Sequence, residues 1–487
     1  MIRIFSLHLS KWKLLLLAGD VGVFYVSVLF GLFLNPMVND AVGEFLNQHK
    51  ISLLIVGLTY LTVLYIGNLY DHYQDFRRRL NLTYVAAWAL AGTILVITLL
   101  YFPFSPFIGR QWMVRQALAF MVLLVLWRYT FSAVALPKRL QQKVLILGAG
   151  KAGRRIMEAI QHRENCGLTV VGFVDDNPWK IGTKIAGLPV LGSSKQLSAL
   201  IHQFNINLVV IAITHEKSPG LISALTRVSL NGCQVIDMPI LYEFLSGKLP
   251  LDHVSDLWLL LNIVKNNKVY YRHIKRLLDL GLAFLGLTLT WPLFGIIALA
   301  IRLDSPGPVF YRQERLGQDS HPFQMIKFRT MDQDAEDHGP QWASEDDPRI
   351  TRVGRVLRKL RLDEWPQLIN ILRGEMSFIG PRPEREIFIR DFQQPVPQCR
   401  TGRRATDPPG CVIIYGYNEQ IPFYSYRLLV KPGITGWAQV MYPYASSLEQ
   451  TKEKLQYDLY YIKNMGFFID LAILLKTVRI VLFGRGM

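Results

Sequence analysis

The sequence predicts a membrane protein of mixed α and α/β class. It has a four-helix transmembrane region, a Rossmann-like α/β domain and a mainly helical C-terminal domain with a re-entrant membrane helix. Three observations predict this. Four apolar runs long enough to span a bilayer fill the first third of the chain. A G-x-G-x-x-G turn follows an apolar, strand-like KVLIL in the middle. A fifth long apolar run, interrupted by Trp291-Pro292, opens a C-terminal half whose other motifs are rich in arginine. The divisions fall at 1–140, 141–250, a linker over 251–270, and 271–487. Within the last, the re-entrant segment covers about 273–303 and a variable loop about 393–421.

Bulk properties agree. The 487 residues suffice for several domains, and 51% hydrophobic residues are too many for an ordinary soluble enzyme. The net charge of +17 points to anionic lipid or phosphorylated substrates. Nucleic acid is not expected as a partner, because the chain is also membrane-embedded. Four scattered cysteines, with no C-x-x-C, argue against a zinc site and a disulfide framework.

The four runs are 14–34, 51–70, 82–104 and 112–136. No small-residue cleavage site follows the first, which reads as a retained helix. Arg3, Lys11 and Lys13 precede the first run, Arg77 to Arg79 separate the second and third, and Lys138, Arg139 and Lys143 follow the fourth. The positive-inside rule then places the N-terminus and everything after Lys138 in the cytoplasm. Arg115 and Arg128 read as cations snorkelling towards the helix ends. No other ionisable residue is expected deep in these helices, so a transport pathway is not expected.

In the second domain, Gly148, Gly150 and Gly153 follow the first strand, and Asp175 follows the next. Such a turn at a helix start can cradle a phosphate, and the acidic residue can read a ribose. The domain is therefore nucleotide- or CoA-binding-like, or else its glycines only make a tight turn in a spacer. A nucleotide-sugar epimerase would need Tyr-x-x-x-Lys inside this domain. The match at Tyr271 and Lys275 falls after it.

The run 277–301 is long enough to span. An odd crossing would carry the remaining chain outside, away from cytosolic nucleotides. Pro292 removes a helical hydrogen bond. The expectation is a re-entrant hairpin broken at Pro292, with Thr288 or Thr290 satisfying freed backbone groups.

RKLRLDEWPQLINILRGEMSFIGPRPE, from Arg358 to Glu384, holds a carboxylate pair at a helix start, ringed by cations. Asp363 and Glu364 suit a metal, a phosphate, or both. Taken alone they also suit a helix N-terminus. Arg352, Arg355, Arg358 and Arg361 supply charge nearby. Arg382, in Gly-Pro-Arg-Pro, can bind phosphate in a planar, bidentate way. Asp347 and Arg349 suit a turn with an ion pair as well as a site. Asp332, Asp334, Glu336 and Asp337 read as a solvated acidic loop.

The ordered series KRLLDL, IRLDSPGPVFYRQERLG, FQMIKFRTM, DDPRITRVGRVLRKLRLDEWPQLINILRGEMSFIGPRPE, LLVKPGITGWAQV and YDLYYIKN resembles the bacterial sugar transferase family. With the N-terminal helices and Rossmann-like domain, the chain is similar to that family's large members, the monotopic polyprenyl-phosphate glycosyl-1-phosphate transferases. The resemblance implies transfer of a sugar-1-phosphate from a UDP-sugar to undecaprenyl phosphate, releasing UMP, with Mg²⁺ as cofactor. It implies the cytoplasmic face of the bacterial inner membrane, and the first membrane step of exopolysaccharide, capsule or O-antigen synthesis. The sequence does not name the sugar; glucose or galactose is expected, and an N-acetylated sugar is compatible. Asp363 would be the nucleophile and metal ligand, with Glu364 helping to hold the metal. Arg382, Arg361, Arg358, Lys327, Arg329, Gln313 and Arg315 would bind substrate phosphate. A homo-oligomer is compatible. Two other readings stay open: an NAD-dependent nucleotide-sugar epimerase or dehydratase, and a non-catalytic scaffold of polysaccharide assembly. The closing segment 467–483 alternates apolar residues with Asp470, Lys476 and Arg479, and reads as an amphipathic helix in the membrane interface, or else as a core helix.

Overall fold

The computed structural model describes the chain apart from residues 1, 5–6, 10, 34–41, 71–78, 102–109, 136–141, 164–165, 214–217, 255, 260–262, 264–268, 334, 336–346, 386–395, 400–410, 415–420, 443–447 and 484–487. Arg77, Arg78, Lys138, Arg139, Asp334, Glu336 and Asp337 therefore lie outside the described residues, as does most of the expected variable loop. The chain forms two compact units, Met1–Ser246 and Gly247–Met487.

In the first unit a short antiparallel ribbon, β1 (Ile2–Ile4) and β2 (Leu7–Leu9), precedes the apolar helices. These are α1 (Lys11–Phe33), α3 (Lys50–Ile66), α4 (Arg79–Tyr101) and α5 (Arg110–Ala135), within a few residues of the four runs read from the sequence. The second run is shorter than expected, and the short α2 (Val42–Gln48) meets α3 at 74°. Outward residues such as Phe33, Ile51 and Val122 are exposed, as a bilayer-facing surface requires, while Val28, Tyr60, Val85, Phe120 and Leu124 pack inward. Polar pairs join the helices: the Gln116 amide donates to Ser27 Oγ at 3.0 Å, and Tyr60 and Thr93 hydroxyls meet at 3.0 Å. Gly19 lets α1 approach α5 closely, since a Cβ there would fall 1.9 Å from the Trp127 ring.

Two expectations about charge are corrected here. Arg128 does not snorkel: it is fully buried, donates to Asp20 Oδ2 at 2.6 Å and to the Leu69 carbonyl at 2.7 Å, and stands over the Tyr70 ring. Asp20, inside the first apolar run, is the deep ionisable residue that the sequence reading passed over. A lone charge in hydrocarbon is costly, and pairing across α1 and α5 removes the need to reach the headgroups.

The rest of this unit is a doubly wound sheet. Its strands are β3 (Gln142–Leu147), β4 (Leu168–Val174), β5 (Lys184–Ile185), β6 (Leu188–Gly192), β7 (Leu208–Ile211) and β8 (Gln234–Asp237). Their spatial order is β5-β6-β4-β3-β7-β8, parallel except for the β5–β6 pair. Alternate residues of β3 feed opposite faces. Val144 and Ile146 pack with α6 (Lys151–Gln161) and α9 (Met238–Ser246). Leu145 and Leu147 pack with α7 (Leu197–Phe204) and α8 (Pro219–Leu230). Burial on both faces explains the unbroken apolar strand sequence.

The second unit runs from a short α10 (Asp256–Leu259) into α11 (Val269–Asp304), then the hairpin β9 (Phe310–Leu316) and β10 (Pro322–Phe328). Helices α12 (Arg352–Lys359) and α13 (Gln367–Arg373) follow, then β11 (Ser377–Ile379). Strands β12 (Val396–Cys399) and β13 (Cys411–Ile414) pair antiparallel within the segment read as a variable loop. Then come β14 (Gly433–Thr435), parallel to β11, and α14 (Trp437–Met441), α15 (Leu448–Asn464) and α16 (Phe467–Phe483).

One further expectation changes. Pro292 does not interrupt α11, which runs through it as one helix. Thr288 and Thr290 donate to the Phe284 and Gly286 carbonyls, both 2.7 Å away, so neither hydroxyl serves the carbonyl that Pro292 frees. Helix α16 buries Ile469 and Ile473 on one face, with Asp470 inward. Phe467, Phe468, Leu471, Val478 and Val481 remain exposed on another face.

Candidate active site

The carboxylate pair sits where the chain turns sharply between two helices. Thr351 caps α12, accepting from the Gly354 amide at 3.0 Å. After α12, Arg361 adopts a left-handed conformation with φ 57°. A non-glycine residue there costs on the order of 1 kcal/mol. The strain reverses the chain into a single 3-10 turn, Leu362–Glu364, and Pro366 then starts α13. Asn370 of α13 pins this element to β10: its carbonyl accepts from the Ile326 amide at 3.1 Å and its amide donates to the Gln324 carbonyl at 2.7 Å.

Asp363 and Glu364 are both buried, at 9% and 8% exposure, yet their surroundings differ. Glu364 Oε1 accepts from Lys327 Nζ at 3.0 Å and Arg382 Nη2 at 2.8 Å. Burial alone would raise its pKa, but Arg382 and Lys327 outweigh that and hold it well below the usual carboxylate range. Among the described residues no donor hydrogen-bonds to Asp363. Burial, with the neighbouring Glu364 charge, pushes the Asp363 carboxyl up, against the pull of Lys327, Arg358 and Arg382. Burial also pushes the Lys327 ammonium down, with Glu364 opposing. The pair therefore divides: Glu364 is tied to two cations, and Asp363 sits beside them unbonded.

Lys327, Met325 and Phe323 of β10 lie opposite Tyr311, Gln313 and Arg315 of β9, so all six share one face of the hairpin. Arg315, Met325, Lys327, Glu364, Gln367, Arg382, Pro383, Gly433 and Ile434 line one small cavity. Gln313 lies just behind it. It accepts from Arg315 Nε at 3.0 Å and donates to the Tyr311 hydroxyl at 2.9 Å. Arg315 also donates to the Pro383 carbonyl at 3.1 Å, and burial lowers its pKa to about 10, leaving it charged at neutral pH. Arg358 reaches Thr330 Oγ1 at 2.9 Å, whereas Arg352 and Arg355 are exposed on α12.

Arg329 does not belong with this group. It is 6% exposed, and its guanidinium donates to the Pro306 carbonyl at 2.6 Å and to the Ser305 carbonyl and hydroxyl at 2.7 and 2.9 Å. It fastens the C-terminal end of α11, since the alternation that carries Lys327 into the cavity ends with β10 at Phe328. Asp347 and Arg349 form the turn with an ion pair, at 2.6 Å. Tyr271 and Lys275, one helical turn apart on α11, converge on Asp470 Oδ2, whose Oδ1 accepts from the Tyr461 hydroxyl at 2.9 Å.

Sequence reasoning missed a buried network behind Arg382. Arg427, Asp458, Glu384 and Lys454 are linked by ion pairs. One signal was available, in that Asp458 and Arg427 each interrupt stretches rich in aromatic and aliphatic residues.

In the first unit, the glycine loop forms as the motif requires. Gly148 has φ +110°, and a Cβ on Gly153 would fall 2.0 Å from the Gly148 carbonyl oxygen. Gly150 precedes α6 with open space above it. Asp175, however, is turned onto the loop: Oδ2 accepts from the Ala149 amide at 2.8 Å and Lys180 Nζ at 2.9 Å, and Oδ1 from the Asn177 amide at 3.0 Å. The Asp175 carboxylate thus closes the glycine loop in this structure.

Residues 270–484 match the family described as bacterial sugar transferase, and residues 68–239 match a CoA-binding domain. Among curated relatives, the UDP-glucose:undecaprenyl-phosphate glucose-1-phosphate transferase of Escherichia coli (strain K12) is 31% identical, over 69% of this chain and 67% of that protein. The UDP-N-acetylgalactosamine-undecaprenyl-phosphate N-acetylgalactosaminephosphotransferase of Aeromonas hydrophila is 39% identical over 54% of this chain, which spans about half, 55%, of its length. The UDP-galactose-lipid carrier transferase of Erwinia amylovora is 26% identical over 96% of both chains. The motif series, the apolar helices and these relatives agree, and the chain belongs to the bacterial sugar transferase family of membrane enzymes.

Proposed function

We propose that this protein transfers a sugar-1-phosphate from a UDP-sugar to undecaprenyl phosphate at the cytoplasmic face of the bacterial membrane. The observation that carries this is the divided carboxylate pair: Asp363 without a hydrogen-bond donor among the described residues, beside Glu364 held by Lys327 and Arg382. An Asp363 carboxylate oxygen attacks the sugar-bearing phosphorus, the phosphoanhydride bond breaks, and UMP leaves. A phosphate oxygen of undecaprenyl phosphate then attacks the same phosphorus and releases Asp363. Lys327, Arg358 and Arg382 stabilise the charge on the transferring group, where most of the catalysis of phosphoryl transfer lies. Arg315 lines the same cavity and serves the nucleotide phosphates.

Among the described residues no cluster of three or more potential metal ligands occurs. The donor set nevertheless fits Mg²⁺, which is held by one or two carboxylates completed by substrate phosphates. Asp363 and Glu364 would hold it, and the ion would neutralise phosphate charge when bound.

The re-entrant reading of α11 is supported by how both ends are fastened. Near its start, Arg276 donates to the Leu372 carbonyl at 2.9 Å and Asp279 accepts from the Phe378 amide at 3.1 Å. At its end, Asp304 accepts from the Val353 amide at 2.9 Å, and Arg329 grips Ser305. Both ends grip one folded domain, and Leu285, Leu289, Trp291 and Ile296 between them are exposed. On this reading the site would lie at headgroup level, where a lipid phosphate and a soluble nucleotide would meet.

The test is UMP release by the full chain in nanodiscs with undecaprenyl phosphate and UDP-glucose, UDP-galactose or UDP-N-acetylgalactosamine. The relatives' names divide among these sugars, so the panel also assigns the product. Asp363→Asn should abolish both turnover and the covalent phosphosugar adduct. UMP release at the wild-type rate by that variant would refute the mechanism. NAD copurifying with the chain would favour nucleotide-sugar redox chemistry instead, a reading that the engaged Asp175 disfavours. Full complementation by alanine variants at Asp363, Glu364 and Arg382 would favour a scaffold.

A further inference from the structure

Arg382 occupies the Gly-Pro-Arg-Pro turn, and its guanidinium stands on Glu364. The side chain is 36% exposed, so packing alone does not fix it. On one side the turn is held by backbone contacts. The Gly380 amide donates to the Thr435 carbonyl, and the Gly433 amide to the Pro381 carbonyl, both at 2.9 Å. A Cβ on Gly433 would fall 2.1 Å from the Gly380 nitrogen, so only glycine permits this approach. On the other side stands Arg427, 4% exposed. Its Nη2 donates to the backbone carbonyl of Arg382 at 3.1 Å. Its Nη1 pairs with Glu384 at 3.3 Å and also meets the Tyr424 hydroxyl. Its Nε faces Asp458 Oδ2 of α15 at 2.9 Å. Lys454, one turn earlier on α15, stands 3.6 Å from Glu384. Signs alternate from Asp458 through Arg427 and Glu384 to the turn that presents Arg382.

Arg427 lies outside the cavity that holds Lys327 and Glu364, and lines a second cavity that shares Arg382 and Pro383 with the first. A fully desolvated guanidinium is an expensive way to hold a loop unless its position matters. We propose that Arg427, anchored by Asp458, is a positioning residue for the transfer reaction: it fixes the Arg382 backbone so that the Arg382 guanidinium meets both Glu364 and the substrate phosphate. The proposal rests on the function argued above. Its distinctive content is that Arg427 acts through Arg382.

A double-mutant cycle tests it, using the full chain in nanodiscs and the UDP-sugar with the fastest UMP release. Arg427→Met should lower kcat/KM about 10- to 100-fold, the scale expected when a catalytic group is misplaced by about an ångström. The KM for the UDP-sugar should rise as it does in Arg382→Ala, whereas a merely structural loss lowers the active fraction and kcat alone. In an Arg382→Ala background, Arg427→Met should cost less than about threefold more, because residues acting through one contact are not additive. Full multiplication of the two single effects would overturn the proposal while leaving the transfer reaction standing. Wild-type activity in Arg382→Ala would overturn the underlying reading, and the proposal with it. If Arg427→Met fails to fold, Arg427→Lys enters the same cycle. It keeps the charge beside Asp458 and loses the planar fork that also reaches Arg382 and Glu384.

Discussion

Replacing Arg382 by alanine is the sharpest perturbation of the site. The guanidinium donates to Glu364 Oε1 at 2.8 Å, with the Glu364 side chain 10% exposed and that of Arg382 36%. A hydrogen bond between charged groups contributes about 1.5–3 kcal/mol, and a third-exposed partner belongs in the lower half of that range. Lost from the transition state relative to free enzyme and substrate, that is a fall of about 10- to 40-fold in kcat/KM for UMP release, at about 1.4 kcal/mol per factor of ten. Glu364 retains Lys327 at 3.0 Å, so its charge stays paired and the melting temperature should move little. Arg382→Lys keeps the charge without the fork and should lose about 3- to 10-fold. The assay is initial UMP release at subsaturating UDP-sugar, alongside trapping of the phosphosugar adduct. Activity of Arg382→Ala within twofold of wild type would refute the claim that this guanidinium serves the transferring phosphate.

Two further outcomes follow from charges the fold has buried. Asp363 is raised above the ordinary 3.8 and must be ionised to attack, so the acid limb of kcat/KM should lie above that value. Arg358 pulls the Asp363 pKa down, so Arg358→Met should move the limb to higher pH, and a limb that stays or moves down would contradict the assignment. In the membrane bundle, Arg128→Met leaves Asp20 buried and unpaired and should cost about 3–5 kcal/mol, read as a lower melting temperature in detergent. The double variant Asp20→Asn/Arg128→Met should recover most of that loss, and a double variant as unstable as the single would show that the pair is not the cause.

The divisions of the chain were legible locally because each rests on a short-range property. Run length predicts the apolar helices. The step from KVLIL to three spaced glycines predicts strand, turn and helix, because only glycine adopts φ +110° and tolerates the Gly148–Gly153 approach. The ordered motif series carries the carboxylate pair and its arginines. Side-chain destinations were not legible in the same way. Lys327 and Arg329 are two residues apart, and the sequence treats them alike. Only the end of β10 sends one into the cavity and the other to the end of α11. Asp20 and Arg128 are 108 residues apart, and nothing local to either names its partner. Arg427 and Asp458 interrupt apolar surroundings, which marks them as unusual without saying what they hold. Asp363 and Glu364 are adjacent and chemically similar, and the sequence by itself determined that a carboxylate pair stands among cations. Tertiary structure decided which member is tied down and which has no hydrogen-bond donor among the described residues. Ionisation and hydrogen bonding depend on distances to Lys327, Arg358 and Arg382, and those distances exist only once β10, α12 and the Arg382 turn have packed together.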